Sequence, residues 1–577
     1  MIRLFRFLKL FWIPVAGVLL FTFFQTLSEL YLPTLMADIV DKGIVQGDIP
    51  YIWRIGGVML LIAAGGTAFS IFASYLSSKA AAGFGRTVRE KVFGHVANFS
   101  LQEFDKIGTS SLINRTTNDI TQVQQVLNMM LRMMVMAPMM CIGGIFMAVT
   151  KEPGLSWIIM IIIPVLALSI YGIARKGIPY FKVLQTKLDK LNLVLREGLT
   201  GIRVIRSFNR TAYESGRFGE ANEDLTDTAI RVNKIMALMM PAMMLIMNMA
   251  TIAILWFGGL KIEEGTIMIG SLMAFIQYVM QIMFSLIMVS MMFVMIPRAQ
   301  ASAVRINEVL DMEATIHNPE HAAPAAGQAG NVEFQNVSFS YPGAEKPALS
   351  NISFHAAPGE ITAIIGGTGS GKSTLVSLIP RFYDINQDGG RLLINGVDVR
   401  DISQEELRSK IGFVPQRAVL FSGTIADNIK YGKEDATEEE IRKAAETAQA
   451  AEFISRMEGG YEAAISQGGS NVSGGQKQRL SIARALVRRP EIYVFDDSFS
   501  ALDFKTDAKL RAALKQETTE STVLIVAQRV STVMDADRII VLDDGEIVGM
   551  GTHRELMAAN QIYQEIVSSQ LSEEESA

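Results

Sequence analysis

The chain has 577 residues, more than a single hydrophobic core usually supports, so at least two domains are expected. Its composition is 49% hydrophobic and 19% charged, and the apolar residues are concentrated in the first half. The net charge of -5 argues against a nucleic-acid partner, and the single cysteine, Cys141, excludes both an intramolecular disulfide and a cysteine-built metal site.

Six apolar stretches before residue 300 are each long enough to cross about 30 Å of hydrocarbon, which takes about 20 helical residues. They lie near 11–36, 55–77, 127–149, 154–174, 236–259 and 267–296. The first is longer than the apolar part of a signal peptide and has no small-residue cleavage pattern, so we expect it to stay in the membrane. The sequence therefore predicts a multi-pass protein of the cell membrane that contacts the lipid bilayer.

The distribution of cations predicts the orientation of these spans. Arg3, Arg6 and Lys9 precede the first span, and the connections after spans two and four are long and rich in Arg and Lys. The other three connections are short and hold few cations. By the positive-inside rule, both termini and the second half of the chain are expected in the cytoplasm.

The two long inner connections, about 78–126 and 175–235, repeat apolar residues at helical spacing. We interpret them as transmembrane helices that continue far into the cytoplasm. Each contains a short polar stretch, "SSLINRTTNDI" near Asn114 to Asp119 and "FNRTAYESGRF" near Phe208 to Tyr213. These stretches are expected to be turns that meet a soluble partner, although solvated helix ends remain the alternative.

The composition changes after Arg298. Residues 313–331 are rich in Ala, Pro and Gly and are expected to be a linker between a transmembrane domain, 1–312, and a soluble domain, 332–577. In the soluble domain, β-rich runs such as "ITAIIG", "IYVFD" and "TVLIVAQ" alternate with helix-like segments. This alternation predicts an α/β domain with a mostly parallel sheet covered by helices.

The segment "GGTGSGKST" follows the apolar strand "ITAII" and precedes a helical pattern, which is the context that identifies a phosphate-binding loop. Its glycines allow backbone amides to surround phosphates, Lys372 supplies positive charge, and Ser373 offers a hydroxyl to Mg²⁺. Asp496 ends the apolar strand "IYVF" and is the expected Mg²⁺ carboxylate. ATP and Mg²⁺ are therefore the expected ligands. The residues predicted to bind them here are Gly366, Gly367, Thr368, Gly369, Ser370, Gly371, Lys372, Ser373, Thr374 and Asp496.

The segment "NVSGGQKQRLSIARAL", between the phosphate loop and the acidic strand, resembles the signature of the ATP-binding cassette (ABC) family. Six spans followed by one cassette resemble a half-transporter of the exporter type. The resemblance implies a six-helix α transmembrane domain of the type I exporter fold and an α/β P-loop nucleotide-binding domain. It also implies two cassettes that enclose two ATP molecules, each held by one chain's phosphate loop and the other chain's signature.

Further roles follow only from this resemblance. Tyr341 would stack on adenine, and Gln416 would sense Mg²⁺ and face the membrane domain. The signature would reach the partner's ATP through Ser473, Gly474, Gly475 and Gln476, whose amides begin a helix that favours anions.

The cassette departs from the family pattern at two positions. Family members that hydrolyse ATP well carry a glutamate directly after the magnesium aspartate, as general base for the attacking water, but this chain has Asp497. A histidine that contacts the γ-phosphate is usual on the next strand, but this chain has Gln528. Asp is one methylene shorter, and misplacing a reacting group by about 1 Å costs on the order of 100-fold in rate. Gln cannot become a cation.

These departures beside an intact signature predict one subunit of a heterodimeric exporter. Its own phosphate loop would hydrolyse slowly, and its signature would complete the partner's site. The alternatives are a slow homodimeric transporter, a lipid flippase or importer of the same fold, and a nucleotide-gated regulator that does not pump.

The sequence says less about the transported compound. Most of the 32 methionines lie between residues 127 and 300, which favours a multidrug or lipid-like hydrophobic substrate or, alternatively, reflects helix packing. Polar groups within spans usually face a cavity or a partner. Gln277 and Gln281, four residues apart on one helical face, and Asn248 are the candidates for the substrate path, with Glu29 and Arg132 near the membrane interfaces.

Overall fold

The structure is a computed structural model of the chain and describes residues 1–321, 327–386 and 388–574. It divides into two compact units. The first contains Met1–Ala97 and Gly108–Glu313, and the second contains Asn98–Ile107 and Ala314–Ala577. Of the expected linker, residues 322–326 lie outside the described part of the chain.

The first unit is built from long helices. A short 3-10 helix, Leu4–Phe11, precedes α1, and a π-helical turn, Ile39–Ile44, follows it. The α-helices between Met1 and Glu313 are α1 (Trp12–Asp38), α2 (Ile49–Ala97), α3 (Leu101–Ile107), α4 (Thr109–Asn114), α5 (Ile120–Lys151), α6 (Ser156–Thr200), α7 (Ile202–Ser207), α8 (Thr211–Ala237), α9 (Met239–Glu263) and α10 (Ile269–Leu310). Of these, α3 belongs to the second unit.

In the described part of the chain, six continuous helical segments are long and apolar enough to cross a membrane, which confirms the six predicted spans. They are Leu4–Ile44, Ile49–Ala97, Thr109–Lys151, Pro153–Thr200, Thr211–Glu263 and Ile269–Leu310. Helix α2 alone has 49 residues. At 1.5 Å per residue it is about 74 Å long, more than twice the hydrocarbon thickness, so it extends well beyond the membrane.

The first polar turn lies upstream of the place that the sequence predicted. Thr109–Asn114 is α-helical and Arg115–Asp119 is π-helical, so the expectation of a turn there is wrong. The helical path breaks instead on either side of α3, at residues 98–100 and at Gly108. Within the second unit, Asp105 Oδ2 accepts a hydrogen bond from the Tyr383 hydroxyl at 3.1 Å. The second expected turn is present, since α7 ends at Ser207 and α8 begins at Thr211.

Asp119 does not lie in a turn, because hydrogen bonds and an ion pair hold its carboxylate inside the first unit. It is 3% exposed, accepts a hydrogen bond from Ser302 Oγ at 2.8 Å, and pairs with the Arg305 guanidinium, whose Nε donates at 2.8 Å. These bonds tie the start of α5 to the C-terminal end of α10.

We expect Asp119→Ala to lower the thermal unfolding midpoint of the purified protein by roughly 5 °C, because buried Ser302 loses its acceptor and Arg305 its counter-charge. The matched control is Asp189→Ala. Asp189 is exposed, and its one hydrogen bond among the described residues comes from Gln185, four residues earlier, at 3.0 Å, so the midpoint should hardly change. Equal shifts in the two variants would contradict a special role for Asp119.

The second unit contains an α/β domain with three sheets. Its strands are β1 (Val332–Phe339), β2 (Leu349–Ala356), β3 (Ile361–Gly366), β4 (Arg391–Ile394), β5 (Val397–Asp398), β6 (Ile411–Val414), β7 (Gly423–Thr424), β8 (Ala464–Ile465), β9 (Ile492–Asp496), β10 (Thr522–Val526), β11 (Arg538–Asp543) and β12 (Glu546–Gly551). Its remaining helices are α11 (Lys372–Leu378), α12 (Gln404–Ser409), α13 (Ile425–Lys430), α14 (Glu438–Thr447), α15 (Ala451–Arg456), α16 (Gly474–Leu486), α17 (Phe504–Glu517), α18 (Val530–Val533), α19 (His553–Ala559) and α20 (Gln561–Glu574).

The central sheet has six strands in the order β12-β11-β3-β10-β9-β6, and all pairs except β11–β12 are parallel. Every residue of β9 and of β10 is buried, as expected for parallel strands covered on both faces. A four-stranded antiparallel sheet, β2-β1-β4-β5, and the small pair β7-β8 complete the domain. The parallel arrangement brings the carboxyl ends of β3, β9 and β10 to one edge of the sheet.

Candidate nucleotide site

The phosphate loop connects β3 to α11 and depends on its glycines. Gly369 and Gly371 have φ values of 86° and 95°, a left-handed backbone that other residues rarely adopt. A Cβ on Gly366 would lie 2.1 Å from the carbonyl oxygen of Leu542 on neighbouring β11, so no larger residue fits there.

Lys372 lies within this loop rather than in solvent. Its side chain is largely buried, and Nζ donates to the carbonyl oxygens of Gly366 at 2.9 Å and Gly367 at 2.6 Å. Burial lowers the pKa of the Lys372 ammonium, while the charges of Asp497 and Asp496 oppose that shift. The loop therefore holds one cation among backbone groups that can face a phosphate chain.

Ser373 and Asp496 form an oxygen pair at the strand edge. Ser373 Oγ donates to Asp496 Oδ1 at 3.0 Å, and burial raises the pKa of Asp496. Two neighbouring oxygen ligands of an octahedral Mg²⁺, each about 2.1 Å from the metal, lie about 3 Å apart. The hydroxyl and the carboxylate thus fit a magnesium ion that is also bound to phosphate oxygens.

Asp497 follows directly and has a strained backbone, with φ at 46°. Its amide donates to the carbonyl oxygen of Val526 on β10 at 3.0 Å, which fixes the turn. Its Oδ2 accepts from Gln416 Nε2 at 3.2 Å and from Gln528 Nε2 at 3.0 Å. Burial raises the pKa of Asp497, opposed by the Gln416 hydrogen bond and the Lys372 charge. The two departures from the family pattern therefore contact each other.

Tyr341 lies at the margin of this site. Its hydroxyl shares a hydrogen bond with Thr374 Oγ1 on α11 at 3.0 Å, and its ring makes edge contacts with Phe339 and Tyr383. It is 37% exposed, so part of the ring remains available to a ligand.

The signature residues lie at the start of α16. Ser473 Oγ accepts from the Gln476 amide at 3.3 Å, and Gln476 Oε1 accepts from the Ser473 amide at 2.9 Å, which together form a capping box. Ser473 and Gly474 are exposed, and a Cβ on Gly475 would lie 3.0 Å from the carbonyl oxygen of Ala501. Among the described residues, no hydrogen bond joins these four to the phosphate loop. The segment is presented at the surface.

The predicted substrate-path residues do not share one environment. Gln277 and Asn248 are exposed, whereas Gln281 is half-buried and its Nε2 donates to the backbone oxygen of Glu29 at 3.2 Å. Arg132 Nη1 donates to Ser74 Oγ at 3.4 Å. The hydrogen bond from Gln281 to Glu29 therefore joins α10 to α1.

One residue near the site, Gln570, was missed by the sequence analysis. Gln570 on the C-terminal helix α20 accepts from the Val530 amide at 2.7 Å and donates to the carbonyl oxygen of Gln528 at 2.7 Å. It thus fixes the backbone on both sides of Arg529, next to the side chain that bonds Asp497. A glutamine in an ordinary amphipathic helix gives no sequence signal of such a role.

Comparison with known families gives two matches along the chain. Residues 15–286 match the ABC transporter transmembrane region, and residues 349–500 match the ABC transporter model of the ATPase domain. An uncharacterized ABC transporter ATP-binding protein of Mycobacterium tuberculosis is 44% identical over 560 residues, which are 96% of each chain.

Two further proteins extend the comparison. A fatty acid ABC transporter ATP-binding/permease protein of Mycobacterium tuberculosis is 36% identical over 82% of this chain and 75% of its own. The structure of a bacterial Atm1-family ABC exporter with ATP bound superposes with a TM-score of 0.80 at 26% identity, covering 96% of this chain and 98% of that one.

Proposed function

The chain belongs to the ABC exporters with one transmembrane region and one ATPase cassette. We propose that it exports amphipathic or hydrophobic compounds as one subunit of a heterodimer. Such proteins are multi-pass membrane transporters that hydrolyse ATP. In the proposed arrangement, residues 1–312 form the translocation unit, 332–577 the cassette, and both termini are cytoplasmic.

The main support for a heterodimer is the environment of Asp497, which predicts slow hydrolysis at this chain's own site. A general base must accept a hydrogen bond from the attacking water, and its position matters before its pKa does. Asp497 is shorter than the family's glutamate, and Oδ2 already accepts two amide hydrogens, from Gln416 and Gln528. The raised pKa of Asp497 favours a base, but it has no effect on catalysis if the oxygen does not reach the water.

Gln528 supports the same conclusion. Its amide nitrogen donates to Asp497 at 3.0 Å, and an amide group carries no positive charge with which to stabilise a transferring phosphoryl group. This chain's own phosphate loop therefore binds ATP and turns it over slowly. Tyr341 would stack on the adenine, Lys372 would neutralise phosphate charge, and Ser373, Asp496 and Gln416 would hold Mg²⁺.

A bound Mg²⁺ supplies charge neutralisation on the phosphate oxygens. The exposed start of α16 serves the second site, where the partner provides phosphate loop, glutamate and histidine. Ser473 and the amides of Gly474 and Gly475 face the γ-phosphate held by the partner, while Gln476 holds the start of the helix in place through its capping bonds to Ser473. In the proposed cycle, closure of the two cassettes moves the membrane helices through α3 and through the turn after Ser207, and the path between the helices then opens outward.

The substrate is proposed to be lipid-like or a hydrophobic drug. The fatty acid transporter named above is a relative in this class, and the methionine-rich spans suit irregular apolar shapes. A lipid flippase or importer of the same fold, and a regulator that does not pump, remain the alternatives that a transport assay separates.

We expect the chain purified alone in nanodiscs to bind Mg-ATP but to hydrolyse it no faster than its Lys372→Ala variant. The measurement is phosphate release, together with nucleotide binding. Robust turnover that Lys372→Ala abolishes would show that Asp497 suffices and would replace the heterodimer by a homodimeric transporter.

A further inference from the structure

Glu29 is the only acidic side chain within the six predicted apolar stretches, and Arg132 is the only basic one. Glu29 lies on α1, 17 residues after Trp12. At 1.5 Å per residue this is about 26 Å along the helix, in the outer part of the membrane if the N-terminus is cytoplasmic. Glu29 is half-buried, and a carboxylate that is partly removed from water is costly unless something compensates its charge.

The protein compensates that charge only in part. Gln25 Nε2, one turn earlier on α1, donates to Glu29 Oε1 at 2.9 Å. Arg132 donates to Ser74 instead. Among the ion pairs of the described residues in the first unit, none includes Glu29. The carboxylate thus has a neutral donor but no cation.

An acceptor without a hydrogen-bond partner lies beside Glu29. Gln281 Nε2 bonds the backbone oxygen of Glu29, and Gln281 Oε1 is buried with no hydrogen-bond partner among the described residues. On the same face of α1, Thr22 is 1% exposed and its Oγ1 also has no partner. A buried polar atom without a partner costs free energy, so this cluster favours a ligand that donates hydrogen bonds.

The chemistry of the missing ligand follows from these groups. A carboxylate and a carbonyl oxygen accept hydrogen bonds, and the carboxylate also attracts positive charge in a medium of low dielectric. An ammonium group brings both the donors and the charge, whereas an alcohol brings one donor, and an anionic head group would be repelled.

Glu29 is half-buried rather than sealed, and the neighbouring surface of α10 is open. Gln277 and Phe284 lie four residues before and three residues after Gln281, which places them on the same side of the helix, and both are exposed. An apolar tail can lie along this side while its head group reaches Glu29.

We propose that Glu29 and Gln281 bind the ammonium group of a cationic amphiphile, an amine that carries an alkyl or aryl tail. This inference rests on the proposed export function and narrows its substrate class. It also separates this chain from a relative that carries fatty acids, whose head group has the opposite charge.

The test is equilibrium binding of radiolabelled dodecylamine to the purified transporter in nanodiscs, with empty nanodiscs as the background. Glu29→Gln keeps the size and the Gln25 contact but removes the charge, and we expect it to weaken dodecylamine binding at least tenfold. Gln281→Met, which removes the free acceptor, should weaken it several-fold. Glu264→Gln changes net charge equally at an exposed position at the end of α9 and should have no effect.

Competition by dodecanol and by dodecanoate completes the experiment, and both are expected to displace dodecylamine poorly. Unchanged dodecylamine binding in Glu29→Gln, or dodecanoate bound as tightly as the amine, would overturn the cation site. The binding assay needs no ATP. Glu29-dependent binding without ATP-driven uptake into inverted vesicles would therefore support the site and refute export.

Discussion

Ser473→Ala in the assembled transporter is expected to lower ATP hydrolysis at least about 100-fold, whereas Lys372→Ala leaves much of it. Removing one donor to a transferring group typically costs about 100- to 1,000-fold. Ser473 is proposed to serve the competent site through its exposed position at the start of α16. Lys372 serves only this chain's own, slow site. The measurement is phosphate release by the complex purified through a tag on this chain.

Ser473 also caps a helix, so the loss of a cap needs its own control. Thr437 caps α14 with the same capping box, its side chain accepting from the Glu440 amide at 3.2 Å, and it has no proposed contact with nucleotide. Thr437→Ala should cost about 1 kcal/mol of stability and leave hydrolysis nearly unchanged. Equal loss of activity in the Lys372 and Ser473 variants would mean two equivalent sites and would contradict the asymmetry.

Much of the fold was predictable because its signals are local. An apolar run of about 20 residues predicts a span whatever surrounds it, and all six were found. The phosphate loop was recognisable because strand, glycines and helix follow one another directly. The residues around Lys372, Ser373 and Asp496 come together because the carboxyl ends of parallel strands meet at one edge.

The errors and omissions concern contacts between distant parts of the chain. The polar run near Asp119 looked like a turn, but Ser302 and Arg305, on a helix more than 180 residues later, satisfy its carboxylate. The bond between Asp497 and Gln528, and the clamp that Gln570 places on the following backbone, likewise depend on tertiary packing that no local pattern encodes.

The Asp497–Gln528 bond changes how the two departures are understood. Taken singly, each weakens catalysis. Together they form a matched pair, because the amide of Gln528 donates to the carboxylate of Asp497, and truncation of either side chain leaves its neighbour without that bond. Their effects are therefore expected to be coupled rather than additive, as is usual for residues in contact.

This coupling leads to the prediction that Asp497→Glu combined with Gln528→His raises hydrolysis at this chain's phosphate loop about 100-fold. Glu adds the missing methylene, and His can carry positive charge. A gain of about 100-fold lies within the rate factors that positioning and general-base catalysis supply. The change is made in a complex that also carries Ser473→Ala, so that the partner's site is silent and the remaining phosphate release comes from this site. Each single change should restore less than a tenth of the gain, since it supplies only one of the two missing groups and disturbs the matched Asp497–Gln528 pair. Turnover that stays at the Ser473→Ala level would refute the assignment of these two residues as the cause of slow hydrolysis.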